Sequence, residues 1–244
     1  MRHNHVLKIN RTWIAALVFT AVVVMIPAAV LAQDLTLHES STIQNKPATP
    51  STTFLSKIGT RHNGVDGKDV IVRLDTQKVV SIDNKKKTYT EMTFEEIQNL
   101  AQATTASMPP EALAQMKKMG MGGGTGEATV TSLGAGEPIA GYATQKYHIS
   151  MSPLEIDIWA APDVVTPAQY FDAMKALMPA NPMMDLRKMF EEFKKIKGTA
   201  LKTVTNMKMM GMNSTTTMEV TSVDKTPVPA SAFDVPAGYK LVKQ

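Results

Sequence analysis

Residues 138–163, PIAGYATQKYHISMSPLEIDIWAAPD, decide the fold. From Ile139 onward Ile139, Gly141, Ala143, Tyr147, Ile149 and Met151 fall on one parity, and Tyr142, Thr144, Lys146, His148 and Ser150 on the other. Successive strand side chains point to opposite faces, so this alternation predicts a half-buried strand with one dry and one wet side. Ser152-Pro153 interrupts it, and residues 155–160 alternate again with Ile156 and Ile158 together. Two alternating runs around a proline-containing break predict an antiparallel hairpin, placed in the middle of a sheet.

Upstream, residues 33–41 can form a first strand, and the polar tract 42–52, with Pro47 and Pro50, reads as a flexible connection. Residues 53–62, 68–75, 78–82 and 87–92 read as further strands, the last two separated by an Asx- and lysine-rich turn at 83–86. No helix between them is long enough for parallel crossovers, so the pattern predicts an antiparallel meander.

At Thr93 the period changes. Thr93-Phe94-Glu95-Glu96 has the order of a capping box, and Phe94, Ile97, Leu100 and Ala101 recur at helical spacing. A second helical piece, 110–119, leads into the glycine-rich run 120–126. Glu127 and the strand-like residues 128–133 follow, where a phosphate-binding loop needs Lys-Ser/Thr and a helix, so a nucleotide site is excluded. After the hairpin, Thr166-Pro167 and Asn181-Pro182 each open a helix, 167–178 and 182–197. Their apolar stripes are Tyr170, Phe171, Met174, Leu177 and Met178, then Leu186, Met189, Phe190, Phe193 and Ile196. Gly198 ends the second helix. Residues 199–208 and 213–223 return as strands, and 233–240 close the chain with aromatic anchors. The class is α+β.

The 244 residues, 43% hydrophobic, suffice for one well-buried core. Residues 1–32 read as a signal peptide: Arg2, Lys8 and Arg11 precede an apolar run that ends in small residues, with cleavage between Ala32 and Gln33. An uncleaved anchor is the rival reading, because residues 13–31 approach a membrane-spanning length. Without the leader, 23 basic residues face 22 acidic ones, so charge does not point to nucleic acid or an acidic membrane. Cysteine is absent, which excludes disulfides, lipid attachment through a thiol, and cysteine nucleophiles. The expected protein is a single domain over 33–244, with membrane contact only through the leader or in passing. It resides in the periplasm or, as the second option, outside the cell.

Catalytic motifs are missing: neither Gly-x-Ser-x-Gly nor His-Glu-x-x-His occurs. His38, His62 and His148 have no ligand spacing and are read as surface residues on polar strand faces. Tyr142 and Trp159 sit on the nominally polar parity, either lining a second apolar surface or anchoring a sheet covered on both sides. Methionine is the unusual residue, with eighteen copies. Met116, Met119 and Met121 form one cluster, and Met207, Met209, Met210 and Met212 another. In an oxidising compartment such thioethers suit Cu(I), an adaptable apolar-ligand surface, or plain packing.

Several landmarks together resemble a family of secreted bacterial proteins known only as a domain of unknown function and similar to the periplasmic lipoprotein carrier LolA. They are Lys87-Thr88-Tyr89-Thr90-Glu91-Met92, Ile139-Ala140-Gly141-Tyr142 running to Lys146-Tyr147, residues 155–163 with Trp159-Ala160, and residues 233–240. The resemblance implies a strongly curved antiparallel sheet, a LolA-like open half-barrel, with helices packed on its concave face. It implies no catalytic residues. The resulting expectation is an exported, non-enzymatic binding protein without a cofactor. Its apolar ligand, a lipid or acyl chain, is expected to be lined by Tyr142, Trp159, Phe171, Met174, Phe190 and Phe193. The alternatives are a Cu(I)-binding protein using Met207, Met209, Met210 and Met212, and an envelope protein that binds a partner and no small ligand.

Overall fold

The period-two segments become one open, curved sheet of twelve strands. The structure is a computed structural model that describes residues 34–243, except 45, 65–66, 112–113, 115–127, 152–153, 168–169, 171–191 and 210–211. The strands are β1 (Leu35–Ile43), β2 (Thr49–Ser56), β3 (Gly59–Asn63), β4 (Lys68–Arg73), β5 (Lys78–Asp83) and β6 (Thr88–Thr93). After the helix α1 (Phe94–Ala106) come β7 (Thr129–Ala135), β8 (Gln145–Met151), β9 (Leu154–Ala161), β10 (Thr199–Met209), β11 (Met212–Asp224) and β12 (Lys240–Leu241). Their spatial order is β12-β6-β5-β4-β3-β2-β1-β11-β10-β9-β8-β7. Every pairing is antiparallel except β12 on β6, which is parallel.

This order corrects the expected position of the hairpin. β8 and β9 pair as foreseen, Met151 opposite Leu154 and Tyr147 opposite Ile158, but they lie beside the terminal strand β7. The seam at the centre is β1 against β11, which joins the meander β1–β6 to the group β7–β11. Alternation identifies a strand and its faces; it does not say which strand lies alongside.

Three boundaries also shift. The run from Ile139 contains a tight turn before its strand: Ala140 and Gly141 have φ of 49° and 82°, and Ile139 and Tyr142 exchange backbone hydrogen bonds of 3.0 and 2.9 Å. Two successive positive φ values make the mirror-image hairpin turn, which preserves alternation while reversing the chain. The expected strand 53–62 is a hairpin, β2 to β3. Gly59 permits it, since a Cβ there would lie 2.2 Å from the Val72 carbonyl oxygen. The polar tract 42–52 carries the end of β1 and the first half of β2, paired from Leu35–Leu55 to Ser41–Thr49.

The strand pairings define two faces. On the first face, α1 sets Phe94 and Ile97 on Val70, Val72 and Val79. At the opposite end of that face, Phe193 and Ile196 lie on Val130, Tyr147, Ile149, Ile156 and Ile158. Between them Leu35, Leu37, Leu55, Val220 and the wholly buried Tyr170 complete the core. On the second face the C-terminal segment packs Val228 and Phe233 onto Ile71, Val80 and Ile82. Burying Phe233 contributes about 2–3 kcal/mol. β4 is thus covered on both sides, which explains why Ile71 and Val72, adjacent in sequence, are both buried.

The expected capping box forms. Thr93 N donates to Glu96 Oε2 at 2.7 Å, and Glu96 N donates to Thr93 Oγ1 at 3.1 Å, so two amides at the start of α1 are satisfied. Most of the expected helices 110–119, 167–178 and 182–197 lie outside the described residues, as does the leader 1–32. Gly198 closes the last of these segments with φ of 96°.

Candidate functional site

In the middle of the first face a small buried polar cluster lies beside the apolar side chains of Leu35, Leu37 and Leu55. In β1, Leu35, Leu37 and Glu39 share one parity and are all buried, so a carboxyl stands where the period calls for a leucine. A register shift against β11 falls between His38 and Glu39, and such a bulge re-aims a side chain. The pairing of β1 with β2 sets Glu39 opposite Ser51 and Leu37 opposite Thr53; β3 then sets His62 opposite Thr53.

Glu39 Oε2 accepts from Thr53 Oγ1 at 2.9 Å and from Ser51 Oγ at 3.3 Å. Thr53 Oγ1 lies 2.9 Å from His62 Nδ1, which is 3.7 Å from Glu39 Oε2. The Thr53 hydroxyl thus bridges the carboxyl and the imidazole, a relay that joins His62, Thr53 and Glu39. Burial pushes the Glu39 carboxyl up to about 7, against the pull of the two hydroxyls. Burial also lowers the His62 imidazole, opposed by the charge of Asp69. The Tyr170 phenol is pushed up by burial and further by the charge of Glu39.

This arrangement is not that of nucleophilic catalysis, in which an acid orients an imidazole that activates a hydroxyl. Here the hydroxyl stands between acid and imidazole and is itself buried. Its chemistry is hydrogen bonding and proton binding. Among the described residues, no group of three His, Asp or Glu side chains is placed to hold a metal ion, and no helix is long and apolar enough to cross a membrane.

The six expected lining residues divide. Phe193 is half-buried on the first face, against the β7–β9 cluster. Trp159 pairs with Lys146 and Lys202 and therefore points to the second face. There the two ammonium groups lie 4.5 and 5.2 Å from its ring centroid. Tyr142, in the turn after β7, has Lys225 at 5.0 Å from its ring. Phe171, Met174 and Phe190 lie outside the described residues, as do Ala32, Gln33 and Met210. Met207 is exposed near the β10–β11 turn, opposite Leu154, while Met209 pairs with Met212. Two of the three expected surface histidines have carboxyl groups as neighbours. His148 has Asp157 at 2.7 Å and Glu155 at 3.0 Å, while His62 belongs to the buried relay.

Sequence reading missed Glu39, Ser51, Thr53 and His62. The signal was present in Leu35-Thr36-Leu37-His38-Glu39, where the third residue of the leucine parity is charged.

The profile of a family described as "Domain of unknown function (DUF4412)" matches residues 55–239. No curated protein matches the chain. Among solved structures, the chain is similar to an uncharacterised conserved protein from Thermus thermophilus, with 7% identity, 88% of this chain and 92% of that one covered, and a TM-score of 0.48. It is similar to MucB in complex with MucA(peri), with 10% identity, 87% and 57% covered, and a TM-score of 0.34. A LolA superfamily protein from Nitrosomonas europaea is similar at 8% identity, with 86% and 92% covered and a TM-score of 0.28. At these identities and scores the likenesses carry no inference about what this chain binds.

Proposed function

The chain belongs to the DUF4412 family, and on that premise we propose that it is an exported, non-enzymatic binding protein of the cell envelope that holds an apolar ligand such as a lipid or acyl chain. In this reading residues 1–32 are removed between Ala32 and Gln33, and residues 33–244 act as one domain in the periplasm or, as the second option, outside the cell. The first face is the concave one of a half-barrel, and the segments 167–178 and 182–197 are helices packed over it. Phe171, Met174, Phe190 and Phe193 line the ligand, while Tyr142 and Trp159 offer a second apolar surface on the opposite face. Contact with a membrane is confined to the leader or is transient; nucleic acid is not a partner and no cofactor takes part.

The observation that carries this reading is the incomplete closure of the β7–β9 cluster. Wholly buried Ile149 and Ile158 belong to a cluster bordered by Met151 and Leu154 at the β8–β9 end and contacted by Phe193, three large apolar side chains that remain partly open to solvent. An acyl chain laid against this open border gains apolar contact at little cost. Titration with a fluorescent fatty acid tests it. Phe193→Asp is expected to abolish binding or unfold the protein; a folded variant that keeps the ligand refutes the reading.

The register at the β10–β11 turn favours a second reading. Met209 pairs with Met212, two residues along from Met207, which brings methionines of both strands to one hairpin tip with Met210 between them in sequence. Such thioethers are soft donors. In that case anaerobic Cu(I) titration finds tight binding that is lost when Met207, Met209, Met210 and Met212 are changed to Leu.

A further inference from the structure

Three segments that are far apart in sequence meet at one corner of the sheet. The β3–β4 and β5–β6 turns touch where Asn84 N donates to the Gly67 carbonyl at 2.9 Å and Lys68 pairs with Asp83. β12 lies along the start of β6, with Lys240 N donating to the Lys87 carbonyl at 3.0 Å and Val242 N to that of Tyr89 at 2.9 Å. Residues 66–68, 83–87 and 239–243 bring Lys68, Lys85, Lys86, Lys87, Lys240 and Lys243 together, against Asp66 and Asp83 alone. The chain beyond the leader has 23 basic and 22 acidic residues, so the remainder is left with 17 and 20. A nearly neutral protein thus carries its positive charge at one place.

All six lysines are exposed. Asp83 takes Lys68 and, at 3.8 Å, Lys86. Lys85, Lys87, Lys240 and Lys243 form no ion pair among the described residues. Between the last two stand Leu241 and Val242, 50% and 47% exposed, on a strand that ends the sheet. Lysines on an edge strand guard against unwanted strand pairing. That accounts for Lys240 and Lys243, but neither for the three lysines of the β5–β6 turn nor for the apolar pair.

We propose that this corner docks the protein reversibly on a bilayer that contains anionic lipid. The ammonium groups lie over the lipid phosphates, and Leu241 and Val242 enter the interface between headgroups and acyl chains. An acidic protein would satisfy the lysines and leave the apolar pair in water; the bilayer surface satisfies both. The docking stands on this corner alone and does not need the apolar-ligand reading.

Sedimentation with vesicles of phosphatidylcholine, alone or mixed with phosphatidylglycerol, tests this on protein isolated from the periplasm. Binding is expected to the mixed vesicles only, and to fade as salt rises. Lys85→Gln, Lys87→Gln and Lys240→Gln together are expected to weaken it on the order of a hundredfold, since each lysine near an anionic surface contributes roughly fivefold. Lys57→Gln, Lys197→Gln and Lys225→Gln remove the same charge at the opposite ends of the strands and are expected to cost far less. Leu241→Ser is expected to weaken binding at every salt concentration. If the triple variant does not fold, acetylation of the unaltered protein decides: the mixed vesicles are expected to protect Lys85, Lys87 and Lys240 and to leave Lys57 reactive. No binding to the mixed vesicles, equal losses in the two triple variants, or uniform protection overturns the proposal. Titration with a fluorescent fatty acid in the absence of vesicles is independent of all these outcomes, so the two readings fail separately.

Discussion

Glu39 of β1 and His62 of β3 lie 3.7 Å apart on the buried face of the sheet, bridged by the hydroxyl of Thr53 on the strand between them. The contact links three neighbouring strands through side chains rather than through the ladder. It also places a proton-binding group beside the central β1–β11 seam. The stability of the protein should therefore respond to pH near neutrality.

A raised carboxyl means that the folded protein favours the neutral form. Below the ordinary glutamate value of 4.5 both folded and unfolded chains are protonated, and the full contribution of the neutral acid is present. Between 4.5 and about 7 the unfolded chain releases the proton and the folded one holds it, so stability falls with rising pH. The shift corresponds to about 3 kcal/mol. Urea unfolding of Glu39→Gln is expected to lose this slope and to exceed the unaltered protein in stability at pH 8. An unchanged slope assigns the pH dependence elsewhere.

Arg61 ties three parts of the chain together, donating to Asp69 at 2.8 Å and to the Ala232 carbonyl at 3.0 Å. Arg61→Met leaves Asp69 buried without its cation, an expected loss of about 3 kcal/mol. It also frees the C-terminal segment, whose other ties include Arg73 to Asp234 at 3.1 Å and Tyr239 to Asn84 at 2.9 Å. Limited proteolysis read by mass spectrometry should show faster cleavage after Val228 in the variant.

Gly198 enters β10 with φ of 96°, and a Cβ there would lie 2.1 Å from the Ala161 carbonyl oxygen. Strain and clash act together, so Gly198→Ala is expected to destabilise by more than about 2 kcal/mol in thermal unfolding. Gly238→Ala, with φ of 83° and no atom within 4 Å of the added carbon, carries the strain alone and should cost less.

Removing the cap of α1 has a smaller and local effect. Thr93→Ala loses the hydrogen bonds its hydroxyl shares with Glu96 and is expected to cost about 1 kcal/mol, with reduced helical signal in circular dichroism.

Local chemistry was legible in the sequence where one segment contains its own cause. The Thr93–Glu96 box, the β8–β9 hairpin and the strands after Gly198 all form where their residues indicate. Neighbour relations were not legible, because β1 finds β11 across most of the chain and no local pattern encodes that pairing. For the same reason Trp159 and Phe193, both apolar and both near the hairpin, end on opposite faces. The Glu39 cluster needed both kinds of information: the parity of Leu35, Leu37 and Glu39 marks the anomaly, and only the β1–β2–β3 register supplies its partners.

The central claim is that the first face holds an apolar ligand. Native mass spectrometry of the protein isolated from a bacterial periplasm without detergent, followed by solvent extraction, tests it most directly. The account expects extra mass that extracts as lipid or another apolar compound. A bare polypeptide mass contradicts it and leaves partner binding in front, whereas extra mass matching copper replaces it with the methionine site.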